Sequence, residues 1–294
     1  MIDPKAVTTY AQYNEDIILA ALLHDVKKGF YVDVGANYPV IDSVTKHFYE
    51  KGWRGVNIEP IKNLYQQLAD DRPNDINLQC GIGSKAGTVT FREYPKRPGH
   101  STFQPSQKAA HSEAYKDYDV PVVTLKEVFE EHCPKKVHFV KIDVEGYEYQ
   151  AVAGNDWGKY RPEVICIEAN HVSEDWKAIL TKHGYKLFIQ DGINEYYVAE
   201  ESWSRTEGFD ERVVLLDYHA LKQHQAQSWQ ADSEQLEILV ENNKKMTEQI
   251  EQLAQKVARL EPVSLGGQTL PRRLKRAAYG LTIDWLKYRR NKSK

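Results

Sequence analysis

FYVDVGANYPVIDSVTKHFYEKGWRGVNIEP, residues 30–60, decides how the chain is to be read. Phe30–Val34 is a short β-branched run that ends in an acid and then Gly35, the mark of a buried strand turning into a helix. Ser43–Lys51 follows with one apolar face, and Val56–Glu59 is a second strand that again ends in an acid. Strand, helix and strand in this order form a βα unit, and such units build a mostly parallel sheet in which ligands lie at the carboxyl ends of the strands.

The same alternation continues outward. Asn77–Gly81, Val137–Asp143, Val164–Glu168, Tyr185–Gln190 and Glu195–Ala199 read as further strands, and Gly87–Tyr94 as an extra one. Ile61–Ala69, Leu125–His132, Glu148–Ala153 and Glu174–Lys182 read as helices. The expected class is therefore α/β, Rossmann-like, with a mostly parallel seven-stranded sheet. Pro95–Tyr118 has no sustained period, and a loop this long inside a compact domain reads as a substrate-side loop or lid. Within it Ser101, Thr102 and Phe103 stand out beside Gly99, His100 is a candidate for gripping an acceptor, and Tyr94, Tyr115 and Tyr118 for stacking on a flat ring.

The strand ends carry the chemistry. In VDVGAN (32–37), Asp33 precedes Gly35, where a missing side chain lets the backbone approach a ligand. Glu59 lies 24 residues after Gly35, where an acid can accept both hydroxyls of a ribose. Each acid taken alone reads equally well as a helix cap or a surface ion pair; together, in this order, they point to a nucleoside. A dinucleotide would want G-x-G-x-x-G for its pyrophosphate, and this turn offers one glycine, so NAD(P) is the runner-up.

With VKIDVEGYEYQAVAG (140–154), VICIEANH (164–171) and the preceding QYNEDIILA (12–20), the stretch 30–60 resembles the FkbM family of S-adenosylmethionine-dependent methyltransferases. The resemblance covers about Gln12 to Gln190 and implies the class I methyltransferase form of the Rossmann-like fold, with S-adenosyl-L-methionine as cofactor. It implies that Asp33, Gly35 and Asn37 line the methionine side, that Glu59 holds the ribose, and that Asp143, Glu145 and Gly146 form a pocket wall. The third strand ends in Cys80-Gly81-Ile82-Gly83-Ser84 without a carboxylate for the adenine amine, so an adenine contact is expected from backbone there, at Gly81.

Methyl transfer needs alignment and, for a hydroxyl acceptor, a base. Asp143, Glu145 and His171 are the candidate catalytic residues, His171 having the best-matched pKa, although a His after a strand is often a hydrogen-bonded loop residue. Glu148 reads as a first-turn helix acid. Asp143, Glu145 and Glu168 can be imagined as a metal site, but with no Cys or His at ligand spacing no metal is assigned. The family resemblance implies O-methylation of a sugar or glycan, or of a polyketide-like small molecule. A catalytically silent adapter is the reading from another class.

Charge and composition divide the 294 residues into a catalytic body (1–218), a helical segment (219–262) and a tail (263–294). A heptad places Leu236, Asn243, Ile250 and Val257 at a, and Leu239, Met246, Leu253 and Leu260 at d. This pattern predicts a coiled coil over 233–260, a rod of roughly 42 Å and a homodimer, against a lone helix packed on the body. Residues 271–294 carry +8 and leave −11 on the rest. Their stripe of Leu274, Ala278, Leu281, Trp285 and Tyr288 suits an anionic membrane surface, a solvated tail or a docking helix. An acidic body argues against nucleic acid. Three dispersed cysteines, no signal-like start and no apolar run of ~18 residues point to a cytoplasmic protein, peripheral to the membrane at most.

Overall fold

The computed structural model describes residues 9–104, 114–169 and 175–209. His171, the heptad over 233–260 and the cationic stretch 271–294 lie outside them.

Among the described residues, ten strands and six α-helices come in the order α1 (Glu15–Leu22), β1 (Phe30–Val34), α2 (Lys46–Glu50), β2 (Arg54–Ile58), α3 (Lys62–Asp71), β3 (Ile76–Leu78), β4 (Gly81–Ile82), β5 (Gly87–Glu93), β6 (Lys116–Val123), α4 (Leu125–His132), β7 (Phe139–Ile142), α5 (Glu148–Ala153), β8 (Val164–Glu168), α6 (Lys177–Lys182), β9 (Tyr185–Gln190) and β10 (Asn194–Ala199). Seven of the strands form one sheet in the order β3-β2-β1-β7-β8-β10-β9. Only β10 runs against its neighbours. Among the described residues no helix is long and apolar enough to cross a membrane.

The period of two along each strand sorts its side chains into two cores. Val32, Val34, Val56, Ile58, Val140, Ile142, Ile165 and Ile167 pack on one face with α4 and α5. Tyr31, Phe139, Val164, Cys166, Tyr196 and Val198 pack on the other, under α1, α2 and Trp53. On this second face the register sets Asn57, Asp33, Lys141 and Cys166 side by side across four strands. A polar row in the middle of a sheet needs internal partners, and buried Arg72 supplies one. It donates to Asn57 Oδ1 (3.1 Å), the Pro39 carbonyl (2.6 Å), Ser43 Oγ and Thr45 Oγ1, and Thr45 in turn donates to Asp33 Oδ2 (2.6 Å).

Three sequence expectations need correction. The strand expected over Asn77–Gly81 is two pieces, because the chain leaves the main sheet after Leu78 and Gly81–Ile82 pairs with β6 in a separate sheet ordered β4-β6-β5. The helix expected over Ser43–Lys51 starts only at Lys46, since Ser43 and Thr45 engage the Arg72 guanidinium. The long loop from Pro95 ends earlier than expected, because Lys116–Val123 is a strand paired with β5 from Glu93↔Lys116 to Gly87↔Val122.

Candidate functional site

The carboxyl ends of β1, β2, β7 and β8 converge on one edge of the sheet, and each contributes an acid. Asp33 is buried in β1, and Gly35 turns the chain with φ 76°. A Cβ at Gly35 would run into the Asp143 carbonyl oxygen, so both the left-handed turn and the close approach of β7 require glycine. The turn is held by N–H donation from Gly35 and Ala36 to the Ile58 carbonyl (3.0 and 3.1 Å) and from Asp143 to the Val34 carbonyl (3.1 Å).

Glu59 is buried at the end of β2. Its Oε2 accepts the Asn37 N–H (2.9 Å) and its Oε1 the Ile61 N–H (2.8 Å). Burial pushes this carboxyl up to about 7, against the two N–H groups and Lys141, which favour the anion. Each oxygen keeps a second lone pair, so the group is aimed and still has acceptor capacity. Asp33 Oδ1 and Asn37 Oδ1 are buried acceptors with no hydrogen-bond donor.

Lys141 does not stand out in the sequence, yet it organises the site. Its Nζ donates to the Gly35 carbonyl (2.8 Å) and stands 3.3 Å from Asp143 Oδ2 and 3.6 Å from Asp33 Oδ1. Burial works to lower the pKa of this ammonium, but Asp143 and Asp33 outweigh it and hold the group above its ordinary value. The available signal is a lysine inside the apolar strand FVKI, since a charge buried in a sheet interior must have partners.

Asp143, Glu145 and Glu168 come together: one carboxylate oxygen from each lies within 4.8 Å of the other two. Glu145 takes a left-handed backbone (φ 53°) followed by Gly146 (φ 97°), a turn that Glu148 closes by accepting the Val144 and Gly146 N–H groups (3.2 and 3.1 Å). Burial, reinforced by Asp143, Glu145 and Glu148, pushes Glu168 up to about 10.

The segment after β5 folds over this edge. Thr102 pairs with Arg92 through both backbone groups and donates its hydroxyl to the Glu145 carbonyl (2.8 Å). Phe103 lies against Gly81, where a Cβ would strike its ring, and packs near Phe91 and Tyr147. Gly81 lies in the small sheet, opposite Val122. Of the loop tyrosines, Tyr94 is buried, Tyr118 packs on Phe91 and donates to Glu93 (2.9 Å), and exposed Tyr115 stacks over Arg92. His100 is exposed on the short 3-10 turn Pro98–His100.

Asp33, Gly35, Asn37 and Glu59 therefore form one cradle, and Asp143, Glu145 and Glu168 a second, with Lys141 between them. The first offers what a nucleoside with an amino-acid side requires: an aimed carboxylate for vicinal hydroxyls, and buried acceptors for an ammonium. The second can hold an acceptor hydroxyl or a cation.

The family model described as the methyltransferase FkbM domain matches residues 33–187, more than half of the chain. A curated relative, methyltransferase sdnD of Sordaria araneosa, is 27% identical in an alignment of 192 residues that covers 54% of this chain and 74% of that protein. Among solved structures, a TehB-like SAM-dependent methyltransferase from Corynebacterium glutamicum aligns at 11% identity over 64% of this chain and 88% of that one, with a TM-score of 0.36. A fibrillarin pre-rRNA processing protein from Methanococcus jannaschii aligns at 14% identity over 64% and 76%, also with a TM-score of 0.36.

Proposed function

This chain belongs to the FkbM methyltransferase family and is an S-adenosylmethionine-dependent methyltransferase, and from that premise we propose that it methylates a hydroxyl oxygen, on a sugar of a glycan or polysaccharide precursor. The observation that carries the cofactor part is Glu59, a buried carboxylate oriented by two N–H groups at the end of the strand beside Asp33 and Gly35.

In this reading Glu59 accepts the two ribose hydroxyls, while Asp33 and Asn37 receive the ammonium of the methionine portion. Lys141 keeps Asp33, the Gly35 carbonyl and Asp143 at fixed spacing. The bound cofactor supplies a methyl carbon on a positively charged sulfur. As the acceptor oxygen bonds to that carbon, the carbon–sulfur bond breaks, its electron pair stays on sulfur, and S-adenosylhomocysteine leaves. The hydroxyl proton passes to a base of the second cradle, Glu145 or Asp143, or to His171. A sugar suits this wall because its several hydroxyl donors match several carboxylate acceptors.

The sequence outside the described residues extends the proposal. The heptad over 233–260 would join two copies, and the cations of 271–294 would hold the enzyme against an anionic membrane face in the cytoplasm, where lipid-linked glycans are assembled.

Isothermal titration with S-adenosylhomocysteine, with NAD in parallel and Glu59→Ala as control, tests the cofactor reading. Binding of S-adenosylhomocysteine alone, lost in the variant, is the expected result. Binding of NAD instead, or of neither, refutes it.

A further inference from the structure

The second cradle gathers three carboxyl groups at one point of the sheet edge. Asp143, Glu145 and Glu168 converge within 4.8 Å. The closest cation described, Lys141, lies 3.3 Å from Asp143 but is shared with Asp33 and the Gly35 carbonyl. Glu168 is only 6% exposed, and its Oε2 has no hydrogen-bond donor. A buried carboxyl oxygen without a hydrogen-bond partner, beside two further carboxyls, is satisfied either by holding a proton or by a cation that takes the proton's place.

We propose that Asp143, Glu145 and Glu168 bind a divalent cation that holds the acceptor hydroxyl. The donor set decides the class of ion. It contains only oxygen, which suits magnesium, calcium or manganese, whereas zinc and copper sites draw on nitrogen and sulfur. Size is compatible: neighbouring oxygens stand roughly 3.3–3.7 Å apart around calcium and about 2.8–3.0 Å apart around magnesium, so three carboxyl oxygens that all lie within 4.8 Å of one another can close on either ion. The sequence pointed away from a metal for want of Cys or His; the all-oxygen set is what replaces them.

Three carboxylates leave about three of six positions open, enough for two neighbouring hydroxyls and a water. The cation thus favours acceptors bearing a vicinal diol, and by drawing charge from the bound oxygen it makes the hydroxyl easier to deprotonate. This role rests on the methyl-transfer reading; the binding of the ion does not.

The test is titration of the full chain with manganese chloride alone, free Mn2+ being read by electron paramagnetic resonance. One site is expected, weakened at least about tenfold by Glu168→Gln and likewise by Glu145→Gln, each of which takes from the ion a carboxylate that binds it with loss of any proton it holds. The second variant changes a less buried residue and so guards against a folding defect in the first. S-adenosylhomocysteine titrated into the same metal-free samples should bind both variants. Absence of Mn2+ binding, or an affinity unchanged in both variants, overturns the cation site. If S-adenosylhomocysteine still binds in that case, the cofactor reading stands and the carboxylates serve the acceptor directly; if it fails as well, both fall together.

Discussion

At Glu59 the fold has turned an ordinary acid into a group that titrates near neutrality. Burial raises its pKa to about 7, while its proposed work, accepting two ribose hydroxyls, needs the anion. Affinity for S-adenosylhomocysteine should therefore fall as pH drops from 8 to 6, by up to about tenfold per unit below 7. Stability should move the other way. A carboxyl whose folded pKa is raised costs stability when both states are ionised, and the cost disappears as pH falls through about 7 toward the ordinary carboxylate range. Glu15 and Glu168 are also raised, to about 8 and about 10, so the test is the difference between the wild type and Glu59→Gln. Calorimetric titration and thermal melting at the two pH values should show both trends flattened in the variant; a pH-independent wild-type affinity would count against an anionic Glu59. The residues of this cradle were legible because each ends a strand or comes just after one. Lys141 was not, because its role appears only when the register sets it between Asp33 and Cys166.

Among the elements, α4 carries its own instruction. Thr124 accepts the Glu127 N–H through its hydroxyl (3.1 Å), and Glu127 accepts the Thr124 N–H (2.8 Å), a reciprocal cap. Thr124→Ala should cost about 1 kcal/mol in urea unfolding and leave S-adenosylhomocysteine affinity unchanged, since the bonds of the cap involve none of the site acids. Such local signals explain why Leu125–His132, like Phe30–Val34 and Val164–Glu168, has the bounds that the residues suggest. β6 lacked one. Only Val120 and Val122 turn inward, while Lys116, Asp117, Asp119 and Pro121 are exposed, so the run reads as polar loop until β5 lies beside it. The strap at Thr102 was visible as an unusual cluster of residues, but its target, the Glu145 carbonyl, is 43 residues away and set by tertiary structure alone.

For the whole molecule, the catalytic body should function without its C-terminal extension. A chain truncated after residue 218 is expected to keep its S-adenosylhomocysteine affinity and to change from dimer to monomer by light scattering; a dimer of unchanged order would remove the heptad from the explanation. The sheet order has a further consequence, for synthesis. β1 sits inside the sheet, pairing with β2 directly but with β7 only after about a hundred more residues. At roughly 5–20 residues per second, the unpaired N–H and C=O edge of the first strand made stays uncovered on the ribosome for about 5–20 seconds. A newborn chain of this kind is most vulnerable to sticking to its neighbours in the interval before Phe139–Ile142 emerges, and that interval is when a holding chaperone would matter most.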